Sequence, residues 1–152
     1  MKFYKRKFIK ILGLSVLSII IPINYLLASA KKIINSKLSN QQKNIMFNEG
    51  TERPFSSELL NEKRKGFYHC ANCGNKLFAS NSKFDSGTGW PSYSEALPDA
   101  FKTKTDYSFG IERVEYHCAK CGAHHGHVFN DGPRESGKRF CSNGLCLIFK
   151  PE

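Results

Sequence analysis

The residues of this sequence best suited to chemistry are its six cysteines and five histidines, and four of the cysteines fall into two matched pairs. Tyr68-His69-Cys70-Ala71-Asn72-Cys73-Gly74 and Tyr116-His117-Cys118-Ala119-Lys120-Cys121-Gly122 agree at six of seven positions. Each is a Cys-x-x-Cys turn closed by a glycine, which can take the positive φ of a tight knuckle. Both sulfurs of such a turn reach one ion at about 2.3 Å, and two turns complete a tetrahedron. Four thiolates leave no position for water, so Cys70, Cys73, Cys118 and Cys121 predict one structural zinc per chain that clamps two distant loops. His69 and His117 are spare donors next to a complete set. Two disulfides, or a redox-active pair, are the competing readings. Both are disfavoured, because a bridge inside a Cys-x-x-Cys turn is strained and the duplicated knuckle suits a shared ion.

Cys141 and Cys146 remain. A reactive thiol needs positive charge, a hydrogen-bond donor and partial exposure nearby. Arg139 and Asn143 flank Cys141 at two-residue spacing, on the same face of a strand, and the His124-His125-Gly126-His127 cluster precedes it across the Asn130-Asp131-Gly132-Pro133 turn. A lone cysteine is commonly just a small buried hydrophobe. On these residues alone both readings of Cys141 stand.

The elements that must position these groups are short. After Pro54 the chain runs in brief Phe-, Tyr- and Val-rich segments punctuated by glycine, the pattern of strands and tight turns. Ser39 followed by Gln42 fits a capping box, and Gly50 predicts the end of a helix of two or three turns. Lys138 to Lys150 reads as one strand, with Cys141, Asn143, Leu145, Leu147 and Phe149 on one face, Phe140, Ser142, Cys146 and Ile148 on the other, and Gly144 as a place to bend. At 152 residues there is room for one domain with one core.

The first ten residues carry Lys2, Lys5, Arg6, Lys7 and Lys10, so of 23 basic residues 18 remain beyond residue 30, an excess of five over the 13 acids. Those cations are interspersed with acids, which argues against a nucleic-acid surface. The basic head is followed by an apolar stretch from Ile11 to Leu27 and then by Ala28-Ser29-Ala30, the order of an export signal cleaved after a small-x-small triplet. Residues 1–30 are therefore expected to direct export, with a periplasmic mature protein starting at Lys31. A retained anchor facing outward from the inner membrane is the alternative. Tyr4-Lys5-Arg6-Lys7-Phe8 resembles a twin-arginine signal with Lys5 in the first arginine position, which leaves the export route open. Residues 31–38 read as a linker.

From about residue 39 to 150 the chain resembles the B-type methionine sulfoxide reductases, which act on the R epimer. The blocks that carry the resemblance are Gly50-Thr51-Glu52-Arg53-Pro54-Phe55, Lys83-Phe84-Asp85-Ser86-Gly87-Thr88-Gly89-Trp90-Pro91-Ser92, Cys121-Gly122-Ala123-His124, Gly126-His127-Val128-Phe129, Asp131-Gly132-Pro133 and Arg139-Phe140-Cys141. The resemblance implies a mainly β catalytic domain over 39–152, built of two antiparallel sheets with a short N-terminal helix and the two zinc knuckles. It implies that Cys141 attacks the sulfoxide sulfur of an oxidised protein, releases methionine and is left as a sulfenic acid. His124 and His127 would hydrogen-bond and protonate the oxygen, Asn143 would add a hydrogen bond, Arg139 would favour the thiolate, and Trp90 would receive the substrate methyl group.

Three places depart from the family pattern. His125 stands where Leu is customary, Asn143-Gly144-Leu145-Cys146 replaces small and hydroxyl residues, and Thr88 occupies the position of the usual resolving cysteine. A thioredoxin-like dithiol is the implied external reductant. Cys146 is the remaining internal resolver, disfavoured because residues five apart in a regular strand lie roughly 16 to 17 Å apart. Two rival functions are a zinc-ribbon interaction module without catalysis and a thiol–disulfide exchange enzyme. A zinc ribbon does not call for Trp90 in a Gly-Pro turn, a histidine cluster and a third cysteine site, and neither free cysteine sits in a Cys-x-x-Cys pair as thiol–disulfide exchange would require.

Overall fold

The structure, a computed structural model, describes residues 31–152; the expected export signal over 1–30 lies outside them. Among the described residues no helix is long and apolar enough to cross a membrane. The described residues form one α-helix and nine strands: α1 (Asn40–Asn48), β1 (Gly66–Cys70), β2 (Lys76–Ala79), β3 (Lys83–Phe84), β4 (Ser92–Tyr93), β5 (Phe101–Asp106), β6 (Arg113–Cys118), β7 (His124–Phe129), β8 (Arg139–Ser142) and β9 (Leu147–Pro151). They make two antiparallel sheets, β2-β1-β9 and β3-β4-β8-β7-β6-β5. The mainly β fold with a short N-terminal helix is thus as the sequence implied.

Aromatic rings form the core where the sheets face each other. Phe78 of β2 stacks on Tyr93 of β4 at 4.0 Å between centroids and meets Phe101, Tyr116 and Phe140 at 5.0 to 6.3 Å. Tyr68 of β1 packs edge-on against Tyr93 at 5.0 Å. Such pairs add about 0.5–1.5 kcal/mol each beyond the area they bury, so the strands that carry the site are held by a stiff interface.

Helix α1 starts with the predicted capping box: Ser39 Oγ accepts from the Gln42 amide, and Gln42 Oε1 accepts from the Ser39 amide. Its end differs from expectation. The left-handed residue is Glu49 (φ 59°), not Gly50. Lys31 and Lys104 hold the Glu49 carboxylate at 2.8 and 2.6 Å, and a Cβ at Gly50 would need the Asn44 side-chain amide to move aside.

The final segment is also corrected. It is two strands in different sheets, β8 and β9, joined by a 3-10 turn over Gly144–Cys146. The buried Glu52 carboxylate accepts the Gly144 and Leu145 amides at 2.5 and 3.0 Å, a pull that regular strand geometry does not allow for. Gly144 is required because a Cβ would strike Ser57.

Residues 31–35, read as part of a linker, lie along the knuckles. Asn72 Oδ1 accepts the Ile34 and Asn35 amides at 2.8 and 3.1 Å, Asn72 Nδ2 donates to Lys32 O at 2.7 Å, and the Lys32 amide donates to Cys121 O at 3.2 Å.

Candidate active site

The four paired cysteines converge. Their sulfurs all lie within 4.8 Å of one another, with Cys70 to Cys121 at 3.7 Å and Cys73 to Cys118 at 3.5 Å. All six cysteines are free, so neither of the disulfides considered above is formed. A tetrahedron with metal–sulfur bonds of about 2.3 Å has edges of about 3.8 Å, and the two measured edges fit it. Neighbouring Cys118 and Cys121 sulfurs, with burial, push the Cys70 thiol well up, and four thiolates this close would repel one another without a cation among them. Cys70 ends β1 and Cys118 ends β6, which puts one knuckle on each sheet.

The second constellation sits on β7 and β8. His127 and Cys141 are direct cross-strand partners, and Gly126 opposes Ser142. A Cβ on Gly126 would run into the Cys141 carbonyl. The missing side chain therefore lets the two strands close up at the thiol. Thr51, Trp90, Arg113, His127, Cys141 and Asn143 are among the residues around a pocket of about 140 Å³. Trp90 is held by its indole N–H, which donates to Glu52 O at 3.1 Å, and by Gly89, whose φ of 90° suits glycine. Asn143 Oδ1 accepts the Glu52 amide at 3.0 Å and Asn143 Nδ2 donates to His125 O at 3.1 Å. Its side chain is therefore fixed before any substrate arrives.

A bulge decides where the histidines point. Across β6 and β7, Tyr116 opposes Gly126 while His117 opposes His124, so one residue of β7 is extra at His125. Strict alternation would send His124 and His127 to opposite faces. With the bulge their rings lie 5.6 Å apart, and His125 turns into the core beside Phe101. His127 Nε2 meets Asp106 Oδ2 at 2.8 Å, and His124 Nδ1 meets Glu115 Oε1 at 2.7 Å. Hydrogen bonds from Ser108 and His127 hold the Asp106 carboxyl well below its ordinary range. An ionised Asp106 can only accept, so His127 carries its proton on Nε2 and leaves Nδ1 as a lone pair. Burial lowers the His127 pKa against the opposing pull of Asp106, keeping the ring neutral near pH 7. Burial raises Glu115, but hydrogen bonds from His124 and Lys104 outweigh it and the net shift is downward.

His124 is only 1% exposed and does not line the Cys141 pocket. It faces an adjoining polar cavity of about 300 Å³ that shares Thr51, Arg113 and His127 with that pocket. Arg139 is buried below Cys141. It makes a two-pronged ion pair with Asp131 at 2.9 and 2.8 Å and stacks on Phe129 at 4.5 Å. Burial raises the Cys141 pKa, while Arg139 and a hydrogen bond from Thr88 pull it back part of the way. Cys146 is fully buried and its thiol is pushed well up by burial.

A model of the SelR domain matches residues 38–151. The chain belongs to the SelR-domain family. Among curated relatives it is 48% identical over 116 residues to "Peptide methionine sulfoxide reductase MsrB" of Methanosarcina barkeri (strain Fusaro / DSM 804), covering 76% of this chain and 82% of that protein. It is 53% identical over 103 residues to the protein of the same name from Pseudomonas putida (strain W619), covering 67% and 77%. With that of Leifsonia xyli subsp. xyli (strain CTCB07) it shares 45% over 130 residues, covering 84% and 94%.

Several residues of this SelR domain contribute more than their sequence context suggested. Glu52 reaches Trp90 and Asn143 through its backbone and the Gly144–Cys146 turn through its carboxylate. Asp106, Arg113 and Glu115 surround the two histidines, and each was unremarkable in a polar, strand-forming run. For Glu52 a signal existed: it sits in a quoted block with the glycine and proline that shape its loop. The carboxylates on β5 and β6 had none, because their partners lie on other strands.

Proposed function

We propose that this chain reduces the R epimer of methionine sulfoxide in oxidised proteins to methionine, with Cys141 as the nucleophile. One observation carries the reading. Cys141 and His127 face each other across β7 and β8 at a pocket walled by Trp90. The raised pKa of Cys141 means that its proton must leave during reaction, and His127 Nδ1 is the free lone pair on its cross-strand partner. The thiolate sulfur attacks the sulfoxide sulfur, and the proton passes to the sulfoxide oxygen. The hydroxyl then moves from the methionine sulfur to the Cys141 sulfur as the new sulfur–sulfur bond breaks with its electron pair left on methionine, so methionine departs reduced by two electrons and Cys141 is left as a sulfenic acid, oxidised by two. Asn143 assists at the oxygen, Arg139 steadies the thiolate, and His124, bonded to Glu115 in the adjoining cavity, acts behind His127 and not on the oxygen directly. The choice of the R epimer rests on the family resemblance.

Recycling uses a thioredoxin-like dithiol, which supplies two electrons and releases water. Thr88 stands beside Cys141 where a resolving thiol would be useful, and the full burial of Cys146 favours the external route. Cys70, Cys73, Cys118 and Cys121 hold a structural zinc. Residues 1–30 direct export, which places the domain in the periplasm or tethers it outside the inner membrane.

The test is reduction of a peptide containing methionine R-sulfoxide with dithiothreitol as electron donor. Cys141→Ser should fold, retain metal and lose activity by at least about a hundredfold, because a hydroxyl is a poor nucleophile at neutral pH. Substantial activity in that variant would remove Cys141 from its role. Inactivity of the unaltered protein toward both epimers would favour a non-catalytic zinc module.

A further inference from the structure

At about 140 Å³ the Cys141 pocket is small, below the roughly 300 Å³ at which small-molecule sites usually begin. It holds one side chain. A cleft of about 620 Å³ lies on the other side of Trp90, which lines both spaces. At its rim Phe55 is 72% exposed and held at φ 62°. A bulky residue in the left-handed region persists only where its surroundings enforce it. Here the Phe55 amide donates to Gly89 O at 2.7 Å, and the ring occupies space that a Cβ on Gly89 would take, 2.9 Å away. The residue before Trp90 thus carries the aromatic at the cleft mouth.

The charges along the cleft balance: Lys63 and Lys83 oppose Glu62 and Asp85. Lys83 donates to Leu60 O at 2.8 Å, and Glu62 is paired with Arg64. Asp85 accepts the Gly87 amide at 2.9 Å, so three of the four charges are already engaged and the cleft offers no unengaged pair of opposite charges to a free amino acid. A neutral main chain with an apolar side chain suits the surface better.

We propose that this cleft takes the stretch of polypeptide next to the oxidised methionine, extended past Trp90, with a neighbouring apolar side chain on the Phe55 ring. The inference rests on reading the Cys141 pocket as the sulfoxide site. It makes the cleft the determinant of preference for unfolded protein over free methionine sulfoxide.

Two measurements test it. In the first, kcat/KM is compared for N-acetylmethionine R-sulfoxide amide and for a nonapeptide with one central R-sulfoxide flanked by leucines. The unaltered protein should prefer the nonapeptide by about tenfold or more, and Phe55→Gly should lose most of that ratio. Glycine keeps the amide donor and relieves the positive φ, so the variant should fold. Asn61→Trp, which fills the cleft from an exposed position, should lower the ratio similarly. A ratio near one in the unaltered protein, or an unchanged ratio in both variants, overturns the inference while leaving the reductase reading intact. In the second, Cys141→Ser is titrated with the same nonapeptide and followed by the fluorescence of Trp90, the sole tryptophan. Adding Phe55→Gly should weaken binding by about tenfold. Equal affinity overturns the cleft proposal. Tight, Phe55-dependent binding with no turnover in the unaltered protein supports the cleft and removes the reductase reading.

Discussion

His125 shows how far one side chain can be from serving its neighbours. It sits between two histidines assigned to chemistry, yet it is fully buried beside Phe101, and among the described residues neither ring nitrogen has a hydrogen-bond partner. Burial pushes its pKa down to about 3. Below pH 6.5 the unfolded chain takes a proton at this position that the folded chain refuses. The stability it leaves intact above that pH is therefore lost as pH falls from 6.5 toward 3, by up to about 1.4 kcal/mol per unit. His117 and His127, also lowered mainly by burial, act in the same sense. His125→Leu should raise stability at pH 7 by about 1–3 kcal/mol, the cost of an unpaired buried polar group, and flatten the acid side of a denaturant-midpoint profile. No gain at any pH would mean that the imidazole has found a partner.

Arg139 makes the opposite case, a charge kept near the thiol by two anchors, Asp131 and Phe129. Because it lowers a Cys141 pKa that burial raises, Arg139→Gln should move the alkylation-rate profile of Cys141 to higher pH, with slower reaction at pH 7. An unmoved profile would leave Arg139 a packing role only.

Among the elements, the two knuckles are informative because they are nearly identical. The one position at which the repeats differ is Asn72 against Lys120, and Asn72 makes three of the hydrogen bonds that hold residues 32–35, beside Lys32 to Cys121 and Asn35 to Ala71. A lysine there would keep the knuckle but, having no acceptor, would lose the bonds from the Ile34 and Asn35 amides, and its longer stem would not hold the Asn72 Nδ2 position against Lys32 O. Asn72→Lys should cost roughly 2–4 kcal/mol, about three ordinary hydrogen bonds. It should also speed amide exchange at Ile34 and Asn35 while leaving β6 and β7 protected. Unchanged exchange at those two amides would show that other contacts hold the segment.

The whole molecule depends on joining its two sheets. The aromatic interface does so along their faces, and the cysteine cluster does so at the ends of β1 and β6. Metal removal should therefore loosen both sheets together. Chelation, or Cys118→Ser, should cost at least about 3 kcal/mol and lower Tm by roughly 10 °C or more. Calorimetry and metal analysis check this, with one zinc per chain expected; a metal-free protein with an unchanged Tm would contradict it.

Residue type and spacing were enough to mark the four cysteines that converge, the capping box of α1 and the mainly β class, whereas Cys141 stood out from Cys146 only through the ordered motifs of the family resemblance. Each depends on local chemistry or on ordered motifs that survive without coordinates. Tertiary structure alone decided the rest. The bulge at His125 reverses strand alternation and brings His124 and His127 to one face, and Glu52 breaks the Lys138 to Lys150 segment into strands of two sheets from 92 residues away. Asp106 and Glu115 acquire their histidines only when β5, β6 and β7 align. These are long-range pairings whose partners leave no mark on the local pattern, because a carboxylate in a strand looks the same in sequence whether it faces water or an imidazole.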